Sequence, residues 1–258
     1  MDAIVTAGGI PQPDELLYEY TKGDSKALLD IAGKPMIQWV LNALSGASSV
    51  ERVVIVGLGP ESGVTCSKPL IFLPNQGAMI ENVRAGVKAV MEANPAAHHI
   101  LAVSSDIPAI TPEMIDWAVN ITTQTDEDIY YNVITRQVME SRYPGSKRSY
   151  IRLKDYELCG GDMNVIRAQT AVGNEELWKR IIDARKNALK QAALLGFDTL
   201  FQLLFHSITL EDAIKKVCKR LGIKGRAILC PYAEIGMDVD KPHQLEILRA
   251  DLTRNAPA

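Results

Sequence analysis

Two glycines, a lysine and two aspartates are the residues of this 258-residue chain whose types and spacing could do chemistry together. The β-branched run Ala3-Ile4-Val5-Thr6 ends in Ala7-Gly8-Gly9. Glycines after a first strand let backbone N–H groups approach and wrap phosphate oxygens. Lys26, at the end of the following loop, brings the compact positive charge that a triphosphate needs. Asp106 and Asp240 each follow a strand-like run. Two carboxylates from distant segments can share one Mg²⁺, an ion that prefers carboxylates plus phosphate oxygens. Arg148 and Arg152 lie in a polar, basic, turn-rich stretch from 136 to 155, and arginine forks match phosphate. Each residue also has a plainer reading. The glycines could shape a turn, Lys26 could be an exposed loop lysine, and the basic run could be a solvated loop. Asp106 could be a turn residue before Pro108, and Asp240 the cap of a last helix.

The elements that must position these residues alternate through the first half. Ala3–Thr6, Arg52–Val56, Leu70–Leu73, Ile100–Val103 and Ile129–Thr135 are short and β-branched, and turn residues bound them. Between them, Ile37, Val40, Leu41 and Leu44 after Pro35 have helical spacing, as do Val83, Val87 and Val90 within Asn82–Glu92. Thr111-Pro112-Glu113 reads as a helix start. Repeated strand–helix–strand units predict a doubly wound, Rossmann-like, mostly parallel sheet with helices on both faces. Ligands in such sheets bind at the carboxyl ends of strands, where Gly8, Gly9 and Asp106 fall. The second half reads as a helical block from about 175 to 222, with a capping-box-like start at Thr209. A strand over Arg226–Leu229 and a final helix from Pro242 to about Leu252 follow.

Four ordered segments resemble the MobA-like NTP transferase (nucleotidyltransferase) family. The Gly8-Gly9 loop with Lys26 is similar to A-A-G-G-x-(S/T)-x-R…P-K-x-L, and Ile31-Ala32-Gly33-Lys34-Pro35-Met36-Ile37 to I-x-G-K-P-M-(I/L). Val103-Ser104-Ser105-Asp106-Ile107-Pro108 is similar to V-x-x-D-x-P, and residues 238–245 (Asp-Val-Asp-Lys-Pro-His-Gln-Leu) to D-(I/V)-D-T-P-E-D-L. The resemblance implies a GT-A-type α/β fold and Mg²⁺-dependent nucleotidyl transfer from an NTP to a phosphorylated or acidic small molecule, with pyrophosphate released. It implies that Ala7, Gly8, Gly9 and Lys26 hold the nucleotide. It makes Asp106 and Asp240 the metal ligands, with Asp238 second. It places Asn82 near base or ribose, although a plain helix-start role fits equally. Arg148, Arg152, Gly160, Gly161 and Asn164 lie where some members face the acceptor.

The chain departs from the pattern in its first loop. The arginine soon after the glycines is absent, Ile10-Pro11-Gln12-Pro13-Asp14-Glu15 stands there, and Ser25 replaces a proline. Lys22, Arg84 or another cation substitutes, or the donor is bound differently. A nucleotide-sugar glycosyltransferase and a catalytically weakened nucleotide-binding homologue remain as rivals. A Rossmann dinucleotide loop at Gly57-Leu58-Gly59 would require a helix to begin there. The net charge of −3 speaks against nucleic acid as a partner. Four scattered cysteines without C-x-x-C spacing fit a reducing cytoplasm, and no signal or membrane-spanning stretch is read. The expectation is one domain over 1–258, with a nucleotide half (1–135) and an acceptor half (136–258).

Overall fold

Val53–Val56 and Ala3–Val5 are buried on both faces, as strands inside a helix-covered parallel sheet must be. The structure, a computed structural model, describes residues 1–173, 175, 178 and 196–255. Strand β1 (Asp2–Thr6) leads to α1 (Tyr18–Thr21), a 3₁₀ turn (Lys26–Leu28), the short pair β2 (Asp30–Ile31) and β3 (Lys34–Pro35), and α2 (Met36–Gly46). Next come β4 (Val53–Val56), β5 (Leu70–Leu73), α3 (Met79–Ala93), β6 (His99–Ser104) and α4 (Pro112–Thr122). The second half holds β7 (Ile129–Thr135), α5 (Arg136–Arg142), β8 (Ile151–Arg152), β9 (Glu157–Gly160), β10 (Met163–Arg167) and α6 (Ala168–Gly173). Beyond residue 196 lie α7 (Phe197–Leu204), α8 (Leu210–Leu221), β11 (Gly225–Leu229) and α9 (Pro242–Asn255).

Strands β5-β4-β1-β6 run parallel, with Val5 opposite Ile55 on one side and Val103 on the other. Alternate side chains enter separate cores. Val5, Ile55 and Val103 pack with Val40, Leu44, Ile115 and Leu248 on one face. Ile4, Val54 and Ile100 pack with Val87, Val90 and Ala168 on the other. The doubly wound, Rossmann-like α/β sheet is therefore present.

The second half is mixed. β10 lies antiparallel to both β6 and β7, and β9 is antiparallel to β7 and β8. Val133 faces Gly160 on one side and Leu229 on the other, so β11 closes the sheet as an edge strand parallel to β7. Sequence reading missed β8, β9 and β10, whose alternation is interrupted at Gly160-Gly161-Asp162. It also read 136–155 as turn-rich, whereas α5 forms over its first seven residues. There Thr135 Oγ1 accepts from Val138 N at 3.3 Å, and Met139 is buried. α8 begins as expected, with Thr209 Oγ1 accepting from Asp212 N at 3.2 Å. Most of the expected helical block between 174 and 195 lies outside the described residues. Among the described residues, no helix is long and apolar enough to cross a membrane.

Candidate active site

Strands β1 and β6 end side by side, and their carboxyl ends open onto a cavity of about 670 Å³. Gly8, Gly9, Lys26, Asn75, Asn82 and Asp106 are among its lining residues. The first loop returns to the strand end because Lys26 N donates to Gly9 O at 2.9 Å and Ser25 Oγ donates to Ala7 O at 3.2 Å. Gly57, at φ +113°, passes so close that a Cβ there would strike the backbone of Gly8. Gly9 faces open space, so the cavity runs up to its backbone.

Asn82 is buried in the cavity wall. Its Oδ1 accepts from Gln76 N at 2.7 Å, and its Nδ2 donates to Asn75 Oδ1 at 3.1 Å. Asn75 Nδ2 in turn donates to Gly8 O at 2.8 Å. The side chain of Asn82 thus organises the 75–77 loop over the glycines. Asn75 escaped the sequence reading, although the Pro74-Asn75-Gln76-Gly77 turn after β5 was a visible signal.

The carboxylates meet through the backbone. Val239 N donates to Asp106 O at 3.0 Å, which lays the 238–240 segment against the end of β6. Buried Gln244 fixes the next residue, its Oε1 accepting from Asp240 N at 3.0 Å. One oxygen each of Asp106, Asp238 and Asp240 lies within 4.8 Å of the others. Lys26 Nζ stands 2.7 Å from Asp106 and 2.6 Å from Asp240, so the expected phosphate ligand here bridges the two expected metal ligands. Burial pulls the Lys26 ammonium pKa down, but Asp106 and Asp240 outweigh it and the net shift is upward. Asp106 Oδ1 is buried without a hydrogen-bond partner. An orphaned oxygen among hard carboxylate donors fits a small divalent cation such as Mg²⁺.

On the far side of these carboxylates, Arg148 contacts Asp238, and its Nη2 lies 3.9 Å from Asp162 Oδ2. Burial, helped by the charge of Asp106 and opposed by Arg148, pushes the Asp162 carboxyl up to about 7. Asp162 was not singled out in the sequence. Its backbone accepts from Ser104 N and donates to Ile235 O, each at 2.8 Å, which fixes it beside the end of β6. Of the five expected acceptor residues, Arg148 therefore joins the carboxylates. Gly160 and Gly161 lie flush against Tyr131, Asn132 and Ile235. Asn164 bonds Asn132 N and Gly161 O, each at 2.8 Å, so its amide braces the turn that carries Asp162. Arg152 stands apart on the exposed β8–β9 hairpin, 3.7 Å from Glu157.

The altered first loop puts Glu15 on the cavity wall, where its Oε2 accepts from Gln12 N at 2.8 Å. Arg84, one of the cations that could substitute for the missing arginine, lies 4.0 Å from exposed Glu175. Gly57-Leu58-Gly59 leads into a single 3₁₀ turn (Pro60–Ser62) rather than a helix, which removes the dinucleotide-loop reading.

A sequence model described as the MobA-like NTP transferase domain matches residues 4–172. The chain belongs to this family. Among solved structures it is similar to a hypothetical transferase from Thermus thermophilus. Identity is 30%, the TM-score is 0.82, and the match covers 95% of this chain and 98% of that one. A CMP:2-keto-3-deoxy-manno-octonic acid synthetase complexed with CTP shares the fold at 16% identity and TM-score 0.60, covering 98% of each chain. A 3-deoxy-manno-octulosonate cytidylyltransferase of Vibrio cholerae is 36% identical over 106 residues, 38% of this chain. That match spans 39% of the curated relative's length.

Proposed function

We propose that this chain transfers a nucleotidyl group from an NTP, CTP first among them, to a small acidic acceptor, with Asp106 and Asp240 holding Mg²⁺. The observation that carries this reading is the meeting of Lys26, Asp106 and Asp240 beside the open backbone of Gly9. In the reaction an acceptor oxygen attacks the α-phosphorus, the bond to the β-phosphate bridging oxygen breaks, and pyrophosphate leaves. Mg²⁺, when bound, offsets charge on the phosphates. The N–H groups of Gly8 and Gly9 and the Lys26 ammonium hold the triphosphate, whereas the Ala7 N–H is taken by Val56 O at 2.8 Å. Arg148 receives the acceptor's anionic group. Asp162, near neutrality beside Arg148, is placed to accept the acceptor's proton. CTP is the donor to test first because the Vibrio cholerae relative is a cytidylyltransferase.

Thermal stability with each of ATP, CTP, GTP and UTP, with and without Mg²⁺, tests donor binding, since a ligand of the native state must raise the transition. Pyrophosphate release from CTP is then followed with 3-deoxy-manno-octulosonate and with other acidic or phosphorylated sugars. A Mg²⁺-dependent shift with acceptor-dependent pyrophosphate supports the reading, and no shift with any NTP sinks it. Glu15 on the cavity wall favours the second reading, a nucleotide-binding homologue with weakened turnover. That reading expects the shift without pyrophosphate release.

A further inference from the structure

Arg148 reaches the carboxylates from a loop whose geometry is imposed by α9. The loop leaves α5 at Tyr143, which is buried, and Tyr143 OH donates to Asp251 Oδ2 of α9 at 3.2 Å. Arg142 grips the same carboxylate with two bonds, at 3.1 and 2.6 Å. Three residues on, Ser146 is fully buried, and its carbonyl accepts from His243 Nε2, in the first turn of α9, at 2.9 Å. Lys147 then adopts φ +53°, a left-handed conformation unfavourable for a residue with a Cβ. The next residue is Arg148, turned inward onto Asp238. A strained residue between an anchored carbonyl and a functional side chain persists only where its surroundings hold it.

We infer that His243 is a positioning residue that clamps Ser146, and through the left-handed Lys147 turn aims Arg148 at the acceptor side of the site. The acceptor role of Arg148 rests on the transferase reading above; the clamp itself does not. The same short stretch, 238–243, therefore carries the Asp238 partner of Arg148, the metal-ligand candidate Asp240 and the clamp, and so couples the two sides of the site. The D-(I/V)-D-T-P-E-D-L pattern that this stretch resembles has Glu where this chain has His243. An ionised carboxylate accepts hydrogen bonds only and could not donate to a carbonyl. The clamp belongs to the histidine of this chain.

Two readouts test it on the full chain. In ¹⁵N-arginine-labelled protein the Arg148 Nε–H signal, identified by its loss in Arg148→Lys, should stand outside the solvent-exposed arginine envelope. His243→Ala should collapse it into that envelope. His243→Asn, too short to reach Ser146, should do the same, and His243→Gln, which restores a donor near Nε2, should keep it. A misaimed positioning group costs up to about a hundredfold, so with Mg²⁺·CTP the acceptor KM should rise about tenfold or more in His243→Ala and recover in His243→Gln. CTP affinity should stay within about twofold. An unchanged Arg148 signal in folded His243→Ala and His243→Asn, or equal losses for CTP and acceptor, overturns the inference. If no acceptor is turned over, the transferase reading fails while the arginine signal still decides the clamp.

Discussion

The two ends of the sheet both carry clusters of titratable side chains, built in opposite ways. At the end where β6 begins and β10 finishes, Arg167 donates to Asp128 at 2.7 Å, Asp126 at 2.7 Å and His98 Nε2 at 2.6 Å. A guanidinium only donates, so His98 Nε2 accepts and its Nδ1–H points at His99 Nδ1, 3.2 Å away. His99 Nε2–H then reaches Glu127 O at 2.7 Å. Asp128 also accepts from Thr170 Oγ1 at 2.9 Å and Lys224 N at 2.7 Å. The metal-like grouping of His98, His99 and Asp126 is thus filled by protons and an arginine. At the carboxyl ends of β1 and β6 the opposite holds, because Asp106 Oδ1, Asp162 Oδ2 and Arg148 Nε are buried without hydrogen-bond partners. Buried polar groups are normally paired. The satisfied cluster fastens β6, β7 and β10, and the unsatisfied one lies where the proposed reaction brings its ligands.

The largest effect that follows is at Asp106. Asp106→Asn removes charge where charge develops, and should lower kcat by about a thousandfold. Its Tm in EDTA should not fall, because one of several crowded carboxylates is relieved. A large Tm loss with near-normal turnover would make Asp106 a structural residue and erase the contrast between the ends. Arg167→Ala is the mirror experiment. It strips three partners at once and should cost about 3 kcal/mol, a Tm drop of roughly 5–10 °C, with CTP affinity unchanged. Burial raises the Asp128 pKa, yet Lys224 N, Thr170 and Arg167 hold it below the usual aspartate value. A depressed carboxylate contributes stability above its unfolded pKa and loses it as pH falls. The gap between wild type and Arg167→Ala should therefore narrow below about pH 4.

The same contrast explains what the sequence reveals. The parallel strands were legible because buried β-branched runs carry their own signal, and Gly8, Gly9 and Asp106 follow those runs closely, while Lys26 and Asp240 were legible only through the motifs around them. β9 and β10 were not legible, since a glycine pair and Asp162 break the alternation and long-range pairing with β7 decides their state. α5 was hidden by its arginines, since the partners of Arg142, Glu234 and Asp251, lie about a hundred residues away and that of Arg136, Glu157, lies in β9. Asn82 and Asn164 look like ligand-binding amides in one dimension. Only the fold shows that one donor and one acceptor of each amide are taken, by the 75–77 loop and by Asn132 and Gly161. Arg148 and Arg152 differ by four positions, yet one faces Asp238 and the other faces solvent.

Lys26 sharpens the comparison, since it pairs with one oxygen each of Asp106 and Asp240 as Arg167 pairs with its own carboxylates. The difference lies in the proposed reaction, where a metal and a triphosphate replace those partners. Lys26→Met should weaken NTP binding by about ten- to a hundredfold, the range of a charge-assisted hydrogen bond. It should also lower Tm in EDTA, with Mg²⁺ recovering most of that loss. A Tm loss that Mg²⁺ leaves untouched would mean that Lys26 is a purely structural cation, like Arg167.

Asp162 gives the smallest effect and the most direct reading of the unsatisfied end. Burial is the main cause of its raised pKa of about 7, so the folded protein resists ionising it. The folded state then binds a proton that the unfolded state has lost, and stability falls as pH rises from about 4 to about 7. Asp162→Asn removes that cost. In EDTA it should leave Tm unchanged near pH 4 and raise it by about 2–4 °C above pH 7, a modest gain because the side chain is a third exposed to water. An equal gain at both pH values would mean that crowding rather than charge burdens the site. A loss at pH 8 would place Asp162 among the satisfied carboxylates of the opposite end.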